Sequence, residues 1–453
     1  MNKSMNKTMR SFLFAASLCV PVLAQEPAAE IPLPKPAADE SAFGAKIART
    51  MTDLATSTPE QRKPARLLFY GQSITRQPWS YAIGKRLQKE FPNADFSFDN
   101  RALGGFGAER LIRTAVADLY PPYPDLVIFH VYGGVGGELE AIIANIRKLT
   151  TAEIVLATHH IDAGPDSAQT ENDKSSQLIR DLAAKYDCEL VEVREEWRQY
   201  MADNQLKPQD LLRDTVHLND KGCKLMEALV WRHLRYNKNF ANPHADEIKT
   251  VPVQPAADGS IKVAFTGNRV DLVQEPTDKP RGTARILIDG QPPSANPKAY
   301  TITKPSTANE VWWPAVYTVG IQTMPLLEDW TLKFTEVSED AKKFKYQVTG
   351  SKTGPDGEGS SEGKFISNSG RVVIDPKDFG IEWAQQVSKK PCPPGFEIKW
   401  SVVPMFQDTY NPKQDRPTVV QLIENGPHTL EIIPNGDGVV PVNAIRVFQP
   451  AIQ

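Results

Sequence analysis

Short apolar segments alternate with amphipathic helical stretches from about residue 43 to residue 237. The apolar segments read ARLLFYG, FSFDNRA, DLVIFHVYG, EIVLATHHI and CELVEV, and helical patterns such as GAERLIRTAVADLY lie between them. Strands with continuous apolar cores, separated by helices, are typical of a parallel sheet that helices cover on both faces. The alternation therefore predicts a three-layer α/β/α domain over residues 43–240.

The pattern changes after residue 242, where helical periodicity gives way to short alternating strands. Examples are IKVAFTG, ARILIDG, DWTLKFTEV and HTLEIIP, and turn clusters such as PNGDG and TGPDGEGSSEG separate strands of this kind. The sequence shows no internal repeat at a fixed period, which argues against a propeller or a solenoid. We predict an all-β sandwich domain over residues 241–453.

The first residues have the features of a secretory signal. A basic start is followed by the apolar run SFLFAASLCVPVLA, and the small residues Val22 and Ala24 lie where a cleavage site needs them. The run is too short to span a bilayer, so we predict a signal peptide over residues 1–24 and a secreted or periplasmic protein. A membrane anchor is the alternative. The Pro- and Ala-rich residues 25–42 are expected to form an extended, solvated tether.

Composition excludes several classes of partner and cofactor. The formal net charge is -3, from 52 basic and 55 acidic residues, and the absence of a Lys/Arg-rich run argues against nucleic acid as a partner. Beyond the signal no segment is apolar enough to cross a membrane. Cys188, Cys223 and Cys392 form no CxxC pair, so neither a disulfide scaffold nor a zinc site is expected. A bond between Cys188 and Cys223 is the alternative to free buried thiols, and the oligomeric state is left open.

A serine stands at the end of the first predicted strand. Ser73 follows ARLLFYG by one residue, and sites in parallel α/β sheets form at the carboxyl ends of strands. Pro78 is suited to the first turn of the following helix, so we expect the N–H of Ser73 to lie near that helix N-terminus, where it can stabilise an oxyanion. A plain N-cap role is the alternative.

An aspartate and a histidine, three residues apart, precede the last predicted helix of the α/β region. Asp214 and His217 lie in LLRDTVHLNDKGCKL. A carboxylate at this spacing can hold one imidazole nitrogen and leave the other free to accept a proton from a serine hydroxyl. On its own the pair is equally typical of a surface contact, and its position near the end of the same domain makes it a candidate partner for Ser73.

Together these motifs resemble those of the SGNH, or GDSL-type, hydrolases, over about residues 66–236. YGQSIT matches the first motif with Ser73 as nucleophile, and Asp214 and His217 match the last motif. NRALGG matches the second motif with Ala102 in place of its first glycine, which makes Gly105 the implied oxyanion donor beside the N–H of Ser73. The resemblance implies a flavodoxin-like α/β/α fold, a Ser-His-Asp esterase, no cofactor and no metal.

Two positions depart from the family pattern. Gln72 replaces the aspartate before the serine, as in some carbohydrate esterases of the superfamily. The family's third motif, Gly-x-Asn-Asp, is absent, since FHVYGGVGGELE contains no asparagine before Asn145. A missing side-chain donor costs about 2.7–4 kcal/mol of transition-state stabilisation. His130, or a backbone N–H near Gly133 or Gly134, is the replacement we expect.

Further residues near predicted strand ends are candidates for the substrate pocket. The segment THHID offers two histidines and a carboxylate without a fourth ligand, so pocket lining or a structural role is favoured over metal binding. The predicted pocket residues are Gln72, His130, Tyr132 and His160. Tryptophans of the β-rich half are candidates either for stacking on sugar rings or for the core, and these are Trp312, Trp313, Trp330, Trp383 and Trp400.

The expected function is that of an exported serine esterase that removes O-acetyl groups from a carbohydrate. An export signal and an appended β-sandwich are the layout of polysaccharide-active enzymes, which is an argument by analogy. A lipase or thioesterase with the same triad is one alternative. A glycan-binding protein with weakened catalysis is the other, because the oxyanion asparagine is missing.

Overall fold

The computed structural model describes residues 32–131, 136–306, 315–413 and 417–452. The predicted signal peptide, Tyr132, Gly133, Gly134, Trp312 and Trp313 lie outside these ranges.

A five-stranded parallel sheet with the strand order β2-β1-β3-β4-β5 forms the centre of the α/β region. Its strands are β1 (Pro64–Gly71), β2 (Asp95–Asn100), β3 (Leu126–His130), β4 (Glu153–Ala157) and β5 (Glu189–Val191). Its helices are α1 (Ala48–Ala55), α2 (Pro78–Glu90), α3 (Ala108–Asp118), α4 (Gly137–Leu149), α5 (Asp166–Lys185), α6 (Val193–Asp203) and α7 (Asp220–Trp231). The order reverses direction between β1 and β3, which is where ligands bind in open α/β sheets.

Helices cover both faces of this sheet, as the alternation of apolar segments predicts. Leu67 and Phe69 of β1 pack into one core with α1, α2, α6 and α7. Leu68 and Tyr70 point to the opposite face and pack with α3, α4 and α5. Successive side chains of a strand point to opposite faces, so a strand that is apolar throughout can bury both.

The first helix is held by carboxylates from the far end of the sheet. The backbone N–H groups of Arg49 and Thr50, in the first turn of α1, donate to Glu153 at 3.0 and 2.8 Å. The N–H of Gly44 donates to Glu189 at 2.8 Å. Because the first N–H groups of a helix have no partner inside the helix, these buried carboxylates supply the acceptors.

Part of the predicted tether packs against this domain. The hydroxyl of Tyr200 donates to the carbonyl of Pro32 at 3.1 Å, and Arg235 pairs with Glu40 at 2.7 Å. Lys35 pairs with Asp203 at 3.0 Å. Residues 32–42 are mostly exposed, as expected of a solvated tether, but several backbone and side-chain groups of the segment have partners on the α/β region.

The β-rich half contains more than the single sandwich predicted. Its strands are β6 (Ile248–Pro252), β7 (Ile261–Gly267), β8 (Arg269–Gln274), β9 (Ala284–Ile288), β10 (Tyr300–Ile302), β11 (Asp329–Val337), β12 (Phe344–Gly350), β13 (Gly354–Ser360), β14 (Phe365–Ile366), β15 (Val373–Ile374), β16 (Glu397–Pro404), β17 (Thr409–Tyr410), β18 (Thr418–Val420), β19 (Gly426–Pro434) and β20 (Val442–Phe448). The sheets β17-β9-β19-β7 and β18-β8-β20-β6 enclose one core and form a sandwich. Residues 300–306 and 315–404, which we call the inserted β-unit, form the sheet β10-β16-β11-β12-β13, the hairpin β14-β15 and helix α8 (Ile381–Ser388) around a second core.

One stretch predicted as a turn cluster is a strand. TGPDGEGSSEG contains β13, which pairs with β12 in antiparallel register, for example Lys345 with Ser360. The strand lies at the edge of its sheet, where a proline and several glycines are tolerated. Pairing with a neighbour outweighs the poor intrinsic strand propensity of this segment.

Helix α3 contacts both the parallel sheet and the inserted β-unit. Arg113 pairs with Asp378 at 2.8 Å and Asp118 pairs with Lys304 at 2.8 Å, while Ala117 packs into the core of the inserted β-unit. The sandwich contacts the α/β region separately, through a hydrogen bond from Tyr123 to Asn268 at 2.8 Å.

Replacement of Glu153 by alanine should lower the free energy of unfolding. The change removes a fully buried carboxylate that accepts hydrogen bonds from two backbone N–H groups. We expect a loss of about 2–4 kcal/mol, and a smaller one for Glu153→Gln, which keeps one acceptor oxygen. Chemical denaturation measures both, with the exposed Glu171→Ala as the control. A loss for Glu153→Ala no larger than that of the control contradicts the anchoring role.

Candidate active site

The chain turns sharply at the carboxyl end of β1. Gly71 has φ +147°, and a Cβ atom there would lie 2.0 Å from the carbonyl oxygen of His130 on β3. Only glycine allows two backbones to approach so closely. The hydroxyl of Thr75 donates to the same carbonyl at 3.0 Å. Ser73 therefore lies in a tight turn braced against the neighbouring strand.

A turn separates Ser73 from the next helix. Helix α2 begins at Pro78, as a proline in the first turn indicates, and Gln77 is its N-cap. Ser73 lies five residues before Pro78, in a series of turns in which the N–H of Arg76 bonds back to the carbonyl of Ser73 at 3.2 Å. The alternative of a plain N-cap role for Ser73 is therefore wrong, and the nearness of its N–H to the helix N-terminus stays a prediction.

The structure brings Ser73, His217 and Asp214 together. The hydroxyl oxygen of Ser73 lies 3.0 Å from Nε2 of His217. Nδ1 of His217 lies 2.9 and 3.1 Å from the two carboxylate oxygens of Asp214. An ionised carboxylate only accepts hydrogen bonds, so Nδ1 carries the proton and Nε2 is left to accept the hydroxyl proton of Ser73.

The carboxylate of Asp214 is ionised over the physiological range. Desolvation acts to raise the pKa of Asp214, but the backbone N–H groups of His217 and Val216 and the imidazole of His217 outweigh it and lower the pKa to about 2. The two N–H groups donate to Oδ1 at 2.7 and 2.9 Å. The carboxylate thus stays a fixed acceptor for the imidazole.

A buried amide joins the serine turn to the histidine loop. Gln77 donates from Nε2 to the carbonyl of Leu218 at 2.8 Å and accepts the N–H of Leu218 at 3.0 Å through Oε1. No sequence motif pointed to Gln77. The feature that could have done so is a glutamine directly before Pro78, because glutamine is a poor N-cap. In the structure its side chain makes no cap bond to α2. A side chain in that position is available for another partner.

The histidine loop is also held from the end of β4. His160 approaches the carbonyl of Val216 with Nε2 at 2.8 Å, and the N–H of Ala163 donates to Thr215 at 2.8 Å. Burial, together with nearby positive groups, lowers the pKa of His160 to about 3. The ring is therefore neutral and serves as a donor to the loop.

A glycine turn lies beside the nucleophile. The N–H of Phe106 bonds to Leu103 at 3.2 Å across Gly104 and Gly105, and Gly105 has φ +75°, as the third position of a type II turn requires. A Cβ atom on Gly104 would lie 3.9 Å from Cβ of Ser73. Within the described ranges, the N–H groups of Ser73, Gly104 and Gly105 have no hydrogen-bond acceptor.

Asn100, at the end of β2, ties this turn to the serine segment. Its Nδ2 donates to the carbonyl of Thr75 at 2.8 Å and to the hydroxyl of Ser80 at 2.9 Å, and its Oδ1 accepts the N–H of Ala102 at 3.1 Å. The sequence motif contained Asn100 without giving it a role. Its contacts make it the link between the two backbone segments that carry the candidate oxyanion donors.

The other predicted pocket residues lie inside the protein. The ring of His130 is fully buried next to His159, with the ring centroids 6.2 Å apart, and burial lowers its pKa well below the usual value. No part of the described chain hydrogen-bonds to either of its nitrogens. Gln72 and His160 are also buried. All three side chains lie below the surface, and their role in lining the substrate pocket stays a prediction. Tyr132 falls outside the described residues.

The structure shows the state of the three cysteines and the positions of three of the candidate tryptophans. Cys188, Cys223 and Cys392 are free thiols, so the alternative bond between the first two is absent. Trp330 and Trp400 stack on each other inside the core of the inserted β-unit. Trp383 is only partly buried and lies against Gly105.

The described residues contain neither a metal-binding cluster nor a membrane-spanning helix. No group of three His, Cys, Asp or Glu side chains in this part of the chain is arranged to hold a metal ion. Nor does any helix in it have the length and apolar character needed to cross a membrane.

Solved structures of acetylxylan esterases are similar to part of this chain. Axe2 from Geobacillus stearothermophilus has a TM-score of 0.35 at 17% identity, and the match covers 39% of this chain and 96% of Axe2. AlAXEase has a TM-score of 0.32 at 23% identity, covering 37% of this chain and 98% of its own. The rest of the chain is not covered. No protein-family model and no curated protein matches the chain.

Loss of the Gln77 bridge should slow turnover. In Gln77→Ala both backbone groups of Leu218 lose their partner, and the imidazole of His217 is no longer fixed relative to Ser73. We expect kcat for a small ester to fall about 10- to 100-fold with little change in KM, since misplacing a reacting group by 1 Å has an effect of this size. The exposed Gln199→Ala serves as control, and steady-state kinetics give both constants. A kcat for Gln77→Ala equal to that of the control contradicts the claim that this bridge positions His217.

Proposed function

We propose that this protein is a serine esterase that hydrolyses O-acetyl groups on a carbohydrate. The observation that carries the proposal is the 3.0 Å contact between the hydroxyl of Ser73 and Nε2 of a histidine whose other nitrogen contacts a carboxylate. A serine hydroxyl is a weak nucleophile at neutral pH unless an adjacent base activates it, and this contact supplies the base.

In the proposed reaction Ser73 attacks the carbonyl carbon of the ester. His217 takes the hydroxyl proton through Nε2, and Asp214 stabilises the imidazolium and keeps Nδ1 protonated. The imidazolium then returns the proton to the leaving alcohol as the carbon–oxygen bond breaks, which leaves an acyl-serine. A water molecule, deprotonated by the same imidazole, then attacks the acyl carbon. The bond between that carbon and the serine oxygen breaks, the imidazolium returns the proton to the serine oxygen, and acetate is released.

The negative charge on the carbonyl oxygen needs hydrogen-bond donors in both steps. We propose the N–H groups of Ser73 and Gly105 as donors, with Gly104 as a further candidate because a Cβ atom on it would lie 3.9 Å from Cβ of Ser73. All three N–H groups lack an acceptor in the described ranges. Backbone donors that are fixed in place stabilise the oxyanion without reorganisation during the reaction. The His130 ring is sealed from solvent and takes no part.

The carbohydrate part of the proposal has separate support. The first residues resemble an export signal, and the serine motif with glutamine before it resembles that of some carbohydrate esterases. The β-rich half fits an enzyme that acts on a polymer, by analogy with the layout of such enzymes. Acetate is the proposed acyl group, and longer acyl chains define the lipase alternative.

Replacement of Ser73 by alanine should abolish ester hydrolysis. We expect kcat for p-nitrophenyl acetate to fall by about 10⁴-fold or more, because the acyl-serine cannot form. Circular dichroism of the variant provides the control for folding. Activity of the wild type that survives intact in Ser73→Ala would falsify the mechanism.

Replacement of Asp214 by asparagine should lower kcat by about 10²- to 10⁴-fold, since the amide favours the wrong imidazole tautomer. The pKa of Asp214 is lowered to about 2, so its carboxylate is ionised above about pH 4 and loses its charge only as the pH falls further. The wild-type pH–rate profile should therefore show no inflection from Asp214 between pH 4 and pH 9. An additional acidic inflection that disappears in Asp214→Asn contradicts this assignment.

The substrate class is tested by the acetate released from polysaccharides and by the acyl-chain length that the enzyme prefers. Acetate release from a panel of acetylated polysaccharides should exceed release from the same polymers incubated with Ser73→Ala. Activity on p-nitrophenyl esters should fall from acetate to octanoate. A rise toward octanoate assigns the protein to the lipase alternative, and binding of polysaccharide with no hydrolysis assigns it to the glycan-binding alternative.

A further inference from the structure

Helix α8 brings a side chain of the inserted β-unit to the glycine turn beside Ser73. A Cβ atom built on Gly105 would lie 2.6 Å from Cζ2 of Trp383 and 3.5 Å from Cη2. Its three nearest neighbours all belong to this indole ring. Trp383 is thus the side chain that bounds Gly105 on one side, although it lies 278 residues further along the chain.

The ring is held in place by residues of both units. The guanidinium of Arg110, on α3, lies 4.5 Å from the ring centroid of Trp383, and Nη1 of Arg110 donates to the carbonyl of Gly105 at 3.4 Å. Phe106 and Tyr317 pack edge to face at 5.4 Å, directly beside the turn. The ion pair of Arg113 and Asp378 anchors the segment that leads into α8. These contacts give the indole a defined position next to the candidate oxyanion donor.

Trp383 differs from the core tryptophans of the same unit. Trp330 and Trp400 keep 1% and 3% of their surface exposed, whereas Trp383 is partly open to solvent and Gly105 beside it is exposed. A large aromatic side chain at the rim of a reactive site offers apolar contact to whatever the site binds.

We propose that Trp383 is a specificity-determining residue that contacts the sugar ring carrying the ester. The inference rests on the proposed function. The oxyanion must lie about 3 Å from the N–H of Gly105, and the leaving sugar is attached to the same carbon. A sugar ring in that position meets the indole, whose apolar surface suits the C–H groups of a pyranose. In this arrangement the inserted β-unit completes the active site.

The test compares a sugar substrate with a small acyclic ester that does not reach the ring. Trp383→Ala and Trp383→Leu are assayed on an O-acetylated oligosaccharide and on triacetin. We expect kcat/KM for the oligosaccharide to fall at least 10-fold in both variants, mainly through KM, with triacetin hydrolysis within about twofold of wild type. Trp383→Phe, which keeps an aromatic face, should restore part of the sugar activity.

A control variant and a folding measurement make the outcome decisive. Glu382→Ala, an exposed neighbour on α8, should leave both activities unchanged. Thermal unfolding of every variant identifies loss of fold, and if Trp383→Ala unfolds, Trp383→Leu and Trp383→Phe decide the question. An equal loss on both substrates overturns the proposal, because it assigns Trp383 to support of the turn. Unchanged oligosaccharide kinetics also overturn it.

The comparison of wild type with Ser73→Ala on triacetin separates the two proposals. If triacetin hydrolysis depends on Ser73 but kcat/KM for the oligosaccharide is unchanged in the Trp383 variants, the proposed function stands and the proposed sugar contact is wrong. Absence of Ser73-dependent hydrolysis of either substrate overturns the esterase and the sugar contact with it.

Discussion

The double hydrogen bond between Gln77 and Leu218 is the contact on which the geometry of the candidate site depends. It joins two backbone segments that are 141 residues apart and that each carry one of the reacting side chains. This buried amide holds the two segments against each other where Ser73 and His217 lie 3.0 Å apart. Both of its hydrogen bonds lie inside the protein, where water does not compete for them and where leaving either group unpaired is costly.

The remaining parts of the site are braced in the same manner, by backbone or buried polar groups and not by the reactive residues. Gly71 lets β1 approach β3, Asn100 links the serine turn to the glycine turn, and His160 holds the histidine loop. The reactive side chains themselves stay partly exposed, with 27% of the His217 side chain and 49% of the Asp214 side chain accessible. Rigid support below an open surface suits a substrate that is itself large, such as a polymer.

The inserted β-unit and the sandwich belong to one half of the chain but meet the α/β region in different places. The sandwich contacts the segment after α3 through Tyr123 and Asn268. The inserted β-unit contacts α3 itself and the glycine turn that precedes it, through Asp378 and Trp383. The glycine turn carries a candidate oxyanion donor. The contacts of the inserted β-unit therefore reach the proposed chemistry directly, whereas the contact of the sandwich through Tyr123 lies elsewhere on the α/β region.

Local pattern alone was enough to predict the parallel α/β layers and the pairing of Asp214 with His217, because apolar periodicity and a three-residue spacing are properties of neighbouring residues. The sequence could not show that Gln77 and Trp383 reach the site, that the inserted β-unit is separate from the sandwich, or that His130 is sealed from solvent. Each of these depends on contacts between segments far apart in the chain, and the energy of such contacts is decided by packing and burial in the folded protein, which no local pattern encodes.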